Sequence, residues 1–336
     1  MARTPSLITR LLAAGGFVLA AGSAWADEPP PDPHAIWTFQ DENASITSAN
    51  LPDRYYVNGL LLGYTSPTED VPDFVSRIGR DLWGEGRQRV SVNIGQSIFT
   101  PADTTSGHPP AGDRPFAGVL TADFALLQDT TTTRSIIGVD VGLVGPDAGG
   151  QLVQNGFHSI IGQKGTRGWG TYQIQDEPVA EFVSARIWRL TTGSLGGLET
   201  DVLPDLSVGL GNLRIYAMTG GVIRIGQGLQ SDFGVPRVFP GPGGGDAYTP
   251  VTPFDWYAFV GAHGEGVAHD MLITGNNFRT SPAVSLVPLQ GELEIGLAMI
   301  LDGVRISYTQ AFQTAEFRTQ RAGLHQFGSL AASFRF

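Results

Sequence analysis

Hydrophobic and polar residues alternate with period two along most of this chain, the spacing by which a strand sends successive side chains to opposite faces. In RVSVNIGQSIF, Val90, Val92 and Ile94 alternate with Ser91, Asn93 and Gly95, and LTADFALL, SIIGVDVGLV, AEFVSARIWRL and VRISYTQAF repeat the pattern less regularly. The alternation predicts strands near 36–42, 54–65, 88–98, 116–127, 134–144, 177–190, 201–211, 213–225, 255–268, 285–300, 302–313 and 327–336. Glycine- and proline-rich stretches such as FPGPGGGDAYTP read as loops between them.

Two segments change period. In VPDFVSRIGRDLWG, residues 71–84, the residues Val71, Phe74, Ile78 and Leu82 share one face of a short amphipathic helix. In GPDAGGQLVQNGFHSIIG, residues 145–162, Gln151, Gln154, Asn155 and His158 fall at i, i+3, i+4 and i+7. Leu152, Val153, Phe157 and Ile161 supply its apolar anchors, and Pro146 with the glycines bounds the turn.

No segment beyond the amino-terminal leader has the roughly 20 consecutive apolar residues that a membrane-spanning helix needs. A chain of this kind enters a bilayer only as a closed barrel, which satisfies every backbone polar group. Twelve strands is an even number, as single-chain outer-membrane barrels require. The chain ends SLAASFRF, with Leu330, Ala332, Phe334 and Phe336 on one face, and such a strand would close the barrel against the first. The alternative reading of that ending is a buried strand of a secreted sandwich. The expected fold is therefore all-β: an antiparallel transmembrane β-barrel of about 12 strands with a short extracellular rim helix, against whose end the 71–84 helix packs.

If the first strand starts in the periplasm, odd-numbered connections lie outside the cell. QDENAS, IFTPADTTSGHPPAGDRPFAG and GPDAGGQLVQNGFH then share the outer rim. The eighth connection, about 226–254, is long for a periplasmic turn. It is expected to form a plug or a cap, unless the strand boundaries are wrong there.

Composition adds an address and several exclusions. Arg3 and Arg10, the apolar run Leu11 to Ala21, and Ala24-Trp25-Ala26 predict a signal peptide over residues 1–26, leaving a single exported domain over 27–336. The absence of cysteine excludes disulfides, thiolate metal sites and cysteine nucleophiles. Loss of Arg3 and Arg10 with the leader takes the formal charge from −11 to −13, a poor match for nucleic acid and a better one for divalent cations. Lys164 is the sole lysine among 21 basic residues; arginine suits bidentate contacts to phosphate and carboxylate, and genome composition produces the same bias.

Among side chains able to do chemistry, histidine alone has an unperturbed pKa near neutrality, so His158 could take a proton from water and return it to a leaving group. The bland reading is a structural histidine on a helix. Asp41, Glu42 and Asn43 supply hard oxygens suited to calcium, which would polarise an ester carbonyl; the bland reading of QDEN is a solvated strand end. No G-x-S-x-G elbow appears, which ranks a serine triad below a metal-and-histidine route. His108 and His325 read as surface residues.

DRYYVNGLLLGYTSP, SIFTPAD, DRPFAGVL and GLVGPDAGGQLVQNGFHSIIGQ, in this order, resemble the lipid A 3'-O-deacylase family of Gram-negative outer membranes, from about residue 36 to the end. The run VGPDAGGQ-x-VQN-x-x-H is its most specific part. The resemblance implies a twelve-stranded barrel in the bacterial outer membrane with its active site facing outward. It also implies calcium-dependent removal of the 3'-linked acyloxyacyl chain from lipid A, or from lipopolysaccharide, by a mechanism similar to phospholipase A2. By position, His158 matches the family's general base, Asn43 matches an active-site asparagine, and Gln154 lies one turn before the base; the metal would rest on Glu42, Asn43 and Asp41. Three positions depart from the pattern: Ala44 stands where an acid follows the asparagine, Val57 where the family has threonine, and Lys164 where it has an acid. Asp53, Arg54, Tyr55 and DRPFAG keep the motif framework, with Asp113 and Arg114 expected to brace the rim by charge-assisted bonding. The departures keep open a catalytically inactive lipopolysaccharide-binding barrel, and an open pore is a third reading.

Overall fold

The computed structural model describes residues 28–47, 54–109, 112–160, 162, 164–237 and 246–336. The expected signal peptide lies outside the described residues. The described strands are β1 (Ile36–Asn43), β2 (Tyr55–Thr65), β3 (Arg87–Thr100), β4 (Ala117–Asp129), β5 (Thr133–Val144), β6 (Glu177–Trp188, continued as Leu190–Leu195), β7 (Leu198–Gly211), β8 (Arg214–Gln227), β9 (Phe254–Asp270), β10 (Leu289–Leu301), β11 (Val304–Gln313) and β12 (His325–Arg335). Each pairs antiparallel with its sequence neighbours, and β12 closes on β1 from Ile36↔Arg335 to Asn43↔Gly328. The result is a closed twelve-stranded barrel in which every expected strand appears with its ends moved by a few residues.

The period-two pattern separates two environments. On β1, Trp37 and Phe39 face outward at 40% and 54% exposure while Thr38, Gln40 and Glu42 point into the lumen and are buried. On β10, Leu293, Ile295, Leu297 and Met299 face outward against buried Glu294, Ala298 and Ile300. An apolar outside and a polar inside are the distribution that lipid imposes on a barrel. Local turn chemistry agrees: Asp302 and Gly303 both take positive φ in the two-residue β10–β11 hairpin, a conformation that Asp-Gly adopts readily.

The lumen holds a lattice of arginine and carboxylate. Arg224 bonds Asp201 at 2.6 Å and Asp232 at 2.5 Å, Arg305 bonds Asp246 at 2.5 Å, and Arg214 bonds Glu265 at 2.9 Å. Part of the arginine content is thereby accounted for inside the barrel, where the planar fork satisfies buried carboxylates bidentately.

The long eighth connection is the expected plug. It turns inward through Leu229–Ser231 and carries Asp232, Phe233, Gly234, Pro236 and Arg237 into the lumen. Gln40 donates to the Pro236 carbonyl at 3.0 Å, Arg305 donates to the Gly234 carbonyl at 2.8 Å, and Tyr248 donates to the Ser333 carbonyl at 3.0 Å. Toward the opposite rim, the one-turn helix that starts at Met271 joins Tyr56, Phe99, Leu213 and Phe327 in an apolar cluster. Among the described residues, the plug and this apolar cluster both occupy the lumen.

Residues Asp73–Trp83 form the predicted first helix, α1. The sequence-based expectation about its orientation fails: Phe74 and Ile78 are exposed, and Ser76 and Gly79 make the contact with the barrel. His325 also departs from expectation, being buried with Nε2 3.0 Å from the Tyr56 carbonyl. His108 is exposed, as expected.

Candidate active site

At the rim away from the termini, the turn Pro146–Ala148 leads into the second helix, α2 (Gly150–Ile160). This helix lies on the outer wall of the barrel. Gln96, which points outward from β3, donates to the Ala148 carbonyl at 2.6 Å. Two glycines permit the close approach, since a Cβ on Gly150 would stand 3.0 Å from the Gly118 Cα and 2.9 Å from the Trp169 ring.

Helix α2 is packed inside out. Gln154 and His158 are buried, whereas Leu152, Phe157 and Ile160 are exposed. Val153 alone of the expected apolar anchors packs on the adjoining cluster of Val57, Ile98, Phe116 and Trp169, while Ile161 lies outside the described residues. A helix in water reverses this arrangement; one whose outer side meets hydrocarbon does not.

The loop after α2 fixes the two buried polar side chains. Trp169 Nε1 and Thr166 Oγ1 donate to Gln154 Oε1 at 3.0 and 3.1 Å, which turns the amide so that its Nε2 is a buried donor with no acceptor among the described residues. His158 Nδ1 lies 3.1 Å from the Lys164 carbonyl. A carbonyl only accepts, so this contact places the proton on Nδ1 and leaves the basic lone pair on Nε2. Thr166 and Trp169 escaped the sequence reading; a tryptophan within the glycine-rich GWGTYQ was the available signal.

The second polar group comes from β1 and β2 on the same outer face. Asp41 accepts from Asn58 at 3.0 Å, and Asn43 accepts from the Ser45 amide at 2.8 Å, capping the short turn Ala44–Ile46. Asp41, Leu60, Gln96 and Leu120 form one row across β1 to β4, so this group and the base of α2 stand at one level of the wall. Beside that row an open groove of about 520 Å³ runs down the barrel between Phe39, Leu60, Leu62, Ile94 and Leu330.

Glu42 does not belong to this group. Alternation turns it into the lumen, where it is fully buried and bonded to Tyr56 Oη at 2.8 Å and Arg237 Nε at 3.1 Å. It cannot share an ion with Asp41 and Asn43 through the barrel wall. Nearby bracing is as expected: Arg114 is fully buried, bonds Glu316 at 2.7 Å and stacks over Phe99, and Asp113 accepts from the Ala102 amide.

The sequence profile of the family described as outer membrane protein LpxR matches residues 11–336. The chain belongs to the LpxR family. Among solved structures, LpxR from Salmonella typhimurium superposes with a TM-score of 0.74 at 22% identity, covering 90% of this chain and all of that one. The β domain of the Bordetella autotransporter BrkA reaches a TM-score of 0.40 at 11% identity over 92% of this chain and 99% of its own. No curated protein matches the sequence.

Membership in the LpxR family places the barrel in the outer membrane and gives the three departures a physical setting. Val57 is the residue at the bulge in β2 and is buried with Ile98, Phe116 and Trp169, so apolar packing replaces the hydroxyl. Ala44 is wholly buried in the turn after β1. Lys164 contributes its backbone carbonyl to His158 and extends an exposed side chain.

Proposed function

We propose that this LpxR-family barrel hydrolyses an ester of lipid A, the 3'-linked acyl or acyloxyacyl chain, from the outer wall of its outward-facing rim. The observation that carries the reading is the inside-out α2, which holds His158 and Gln154 between the barrel wall and the lipid phase, where an ester of a membrane lipid lies. The groove beside Asp41 offers apolar walls to an acyl chain, and exposed Arg167, Arg318 and Arg321 on the same rim suit its phosphates.

In this mechanism His158 Nε2 accepts a proton from water as the water oxygen attacks the ester carbon. The oxyanion receives a hydrogen bond from Gln154 Nε2, held in orientation by Trp169 and Thr166. Collapse expels the sugar alkoxide, which recovers the proton from His158 and leaves a fatty acid and a free hydroxyl. Calcium, the cofactor that the resemblance implies, would be held by the oxygens of Asp41 and Asn43 without Glu42, and when bound supplies polarisation of the ester carbonyl. Among the described residues no group of three acidic or histidine side chains converges as a metal site, so a calcium ion at Asp41 and Asn43 would need backbone carbonyls and water to complete its coordination.

Mass spectrometry of lipid A from cells expressing the protein tests the reading. Loss of the 3'-acyl mass, absent in His158→Ala and abolished by chelation, is the expected result; Gln154→Ala should slow release by about 10²–10³. Unchanged lipid A from a folded barrel would refute hydrolysis and support a lipopolysaccharide-binding barrel without catalysis, the reading that the apolar Val57 favours. Val57→Thr separates the two, since only a hydrolase with a compromised site gains rate from the restored hydroxyl.

A further inference from the structure

The exposed face of α1 has no protein against it among the described residues, and its position on the barrel names what covers it. The helix docks on the outer wall through small residues: a Cβ on Gly79 would stand 2.5 Å from Gln88 Nε2 and 3.1 Å from Leu126 Cδ2. Beneath it, Gln88 donates to the Ser76 carbonyl at 3.2 Å and to Gln128 Oε1 at 2.7 Å, and Gln128 donates to the Gly84 carbonyl at 3.1 Å. Gln88, Leu126 and Gln128 share the outward parity of Val92 and Phe124, which lie on the lipid-facing belt at 40% and 52% exposure. The helix thus extends that belt at the terminus-bearing end, next to the row in which Trp37 packs against Tyr64 with ring centroids 5.3 Å apart and planes tilted by 60°.

With the small side docked, Phe74 and Ile78 project away from the wall at 63% and 45% exposure. Arg77 and Arg80 lie toward the other flank, and Asp81, two turns beyond Phe74, sits on the outer face beside it; all three are exposed. We infer that α1 is an interfacial anchor. It lies in the leaflet on the terminus side, with Phe74 and Ile78 at the acyl boundary and Arg77 and Arg80 at phospholipid phosphates. An amphipathic helix with basic residues on its polar flank seats its apolar face about 5–10 Å into the headgroup region. The two glutamines explain the docking. Outward-facing amides at the edge of the hydrocarbon need partners, and α1 supplies its carbonyls while shielding them from lipid.

The cysteine-free chain permits direct measurement. Nitroxide labels at Phe74→Cys, Ile78→Cys, the exposed turn position Thr132→Cys and the wall control Phe124→Cys are introduced into the full chain, refolded in phosphatidylethanolamine–phosphatidylglycerol vesicles and compared by power saturation with oxygen and a water-soluble nickel chelate. Labels at 74 and 78 should follow 124, oxygen-accessible and several-fold less accessible to nickel than 132. Nickel accessibility at 74 and 78 equal to that at 132 would place the helix in water, and protection from both reagents would show a protein partner; either overturns the inference. All four positions are exposed or half-exposed, and gel mobility with and without heating verifies folding of each labelled barrel.

Discussion

Replacing Arg237 with methionine removes the cation that fastens the plug. Its guanidinium donates to Glu42 at 3.1 Å, to Glu294 at 3.1 Å and to Glu292, and lies 5.3 Å above the Phe327 ring. The three carboxylates are 0%, 6% and 10% exposed, so the variant leaves them facing one another in the lumen. Removing one partner of a buried ion pair costs about 3–5 kcal/mol. The three contacts share one cation and do not add, so the same range is expected here. The molecule has two ways to lose that energy: unfolding more readily, or releasing the plug so that water reaches the glutamates. Urea titration read by heat-modifiable gel mobility measures the first, and conductance in planar bilayers the second. Arg237→Lys keeps the charge without the fork and should fall between. A methionine variant with its stability within about 0.5 kcal/mol of the parent and a silent bilayer would refute the assignment of Arg237 as the plug's fastening.

Two other perturbations probe separate parts of the molecule. Gly150→Val forces a branched side chain against Gly118 and Trp169; lipid A hydrolysis should disappear by mass spectrometry while the barrel's unfolding midpoint holds, and retained turnover would contradict the docking of α2. At the terminus-bearing end, burial tends to raise the Asp32 carboxyl, but hydrogen bonds from Arg335 and His34 and the charge of Arg89 outweigh it and hold the group below the usual carboxylate range. A depressed native pKa contributes stability above the unfolded value of about 4 and loses it as pH falls through the native value. Asp32→Asn should therefore lose less stability than the parent between pH 7 and pH 3, and equal losses would refute the clasp.

The strands were legible because lipid outside and ions inside impose alternation residue by residue, as on β10. The same period, applied strictly, sends Glu42 and Asn43 to opposite faces; reading QDEN as one ligand cluster overlooked it. Both helices showed their apolar faces in the sequence, yet periodicity reports the face and not the medium it meets, so Phe74 and Leu152 were expected to pack on protein. The plug's path was not legible, because Asp232 to Arg237 carry no periodicity and are positioned by partners on β1, β8, β10 and β11. Trp169 and Thr166 were missed because the loop holding Gln154 acts through tertiary contacts alone.

The seam between β1 and β12 makes this a protein whose topology is decided by the strand that closes it. Ile36 pairs with Arg335, and Ala35 exchanges backbone bonds with Phe336, across nearly the full contour of the chain. Until that final strand has emerged from the ribosome, β1 is one edge of an open sheet with an apolar outer face, and no early domain can complete itself. Folding must follow synthesis, and the nascent chain requires protection from aggregation throughout its passage to the membrane. A truncation of the last ten residues is accordingly expected to remove the whole barrel and not merely one twelfth of it.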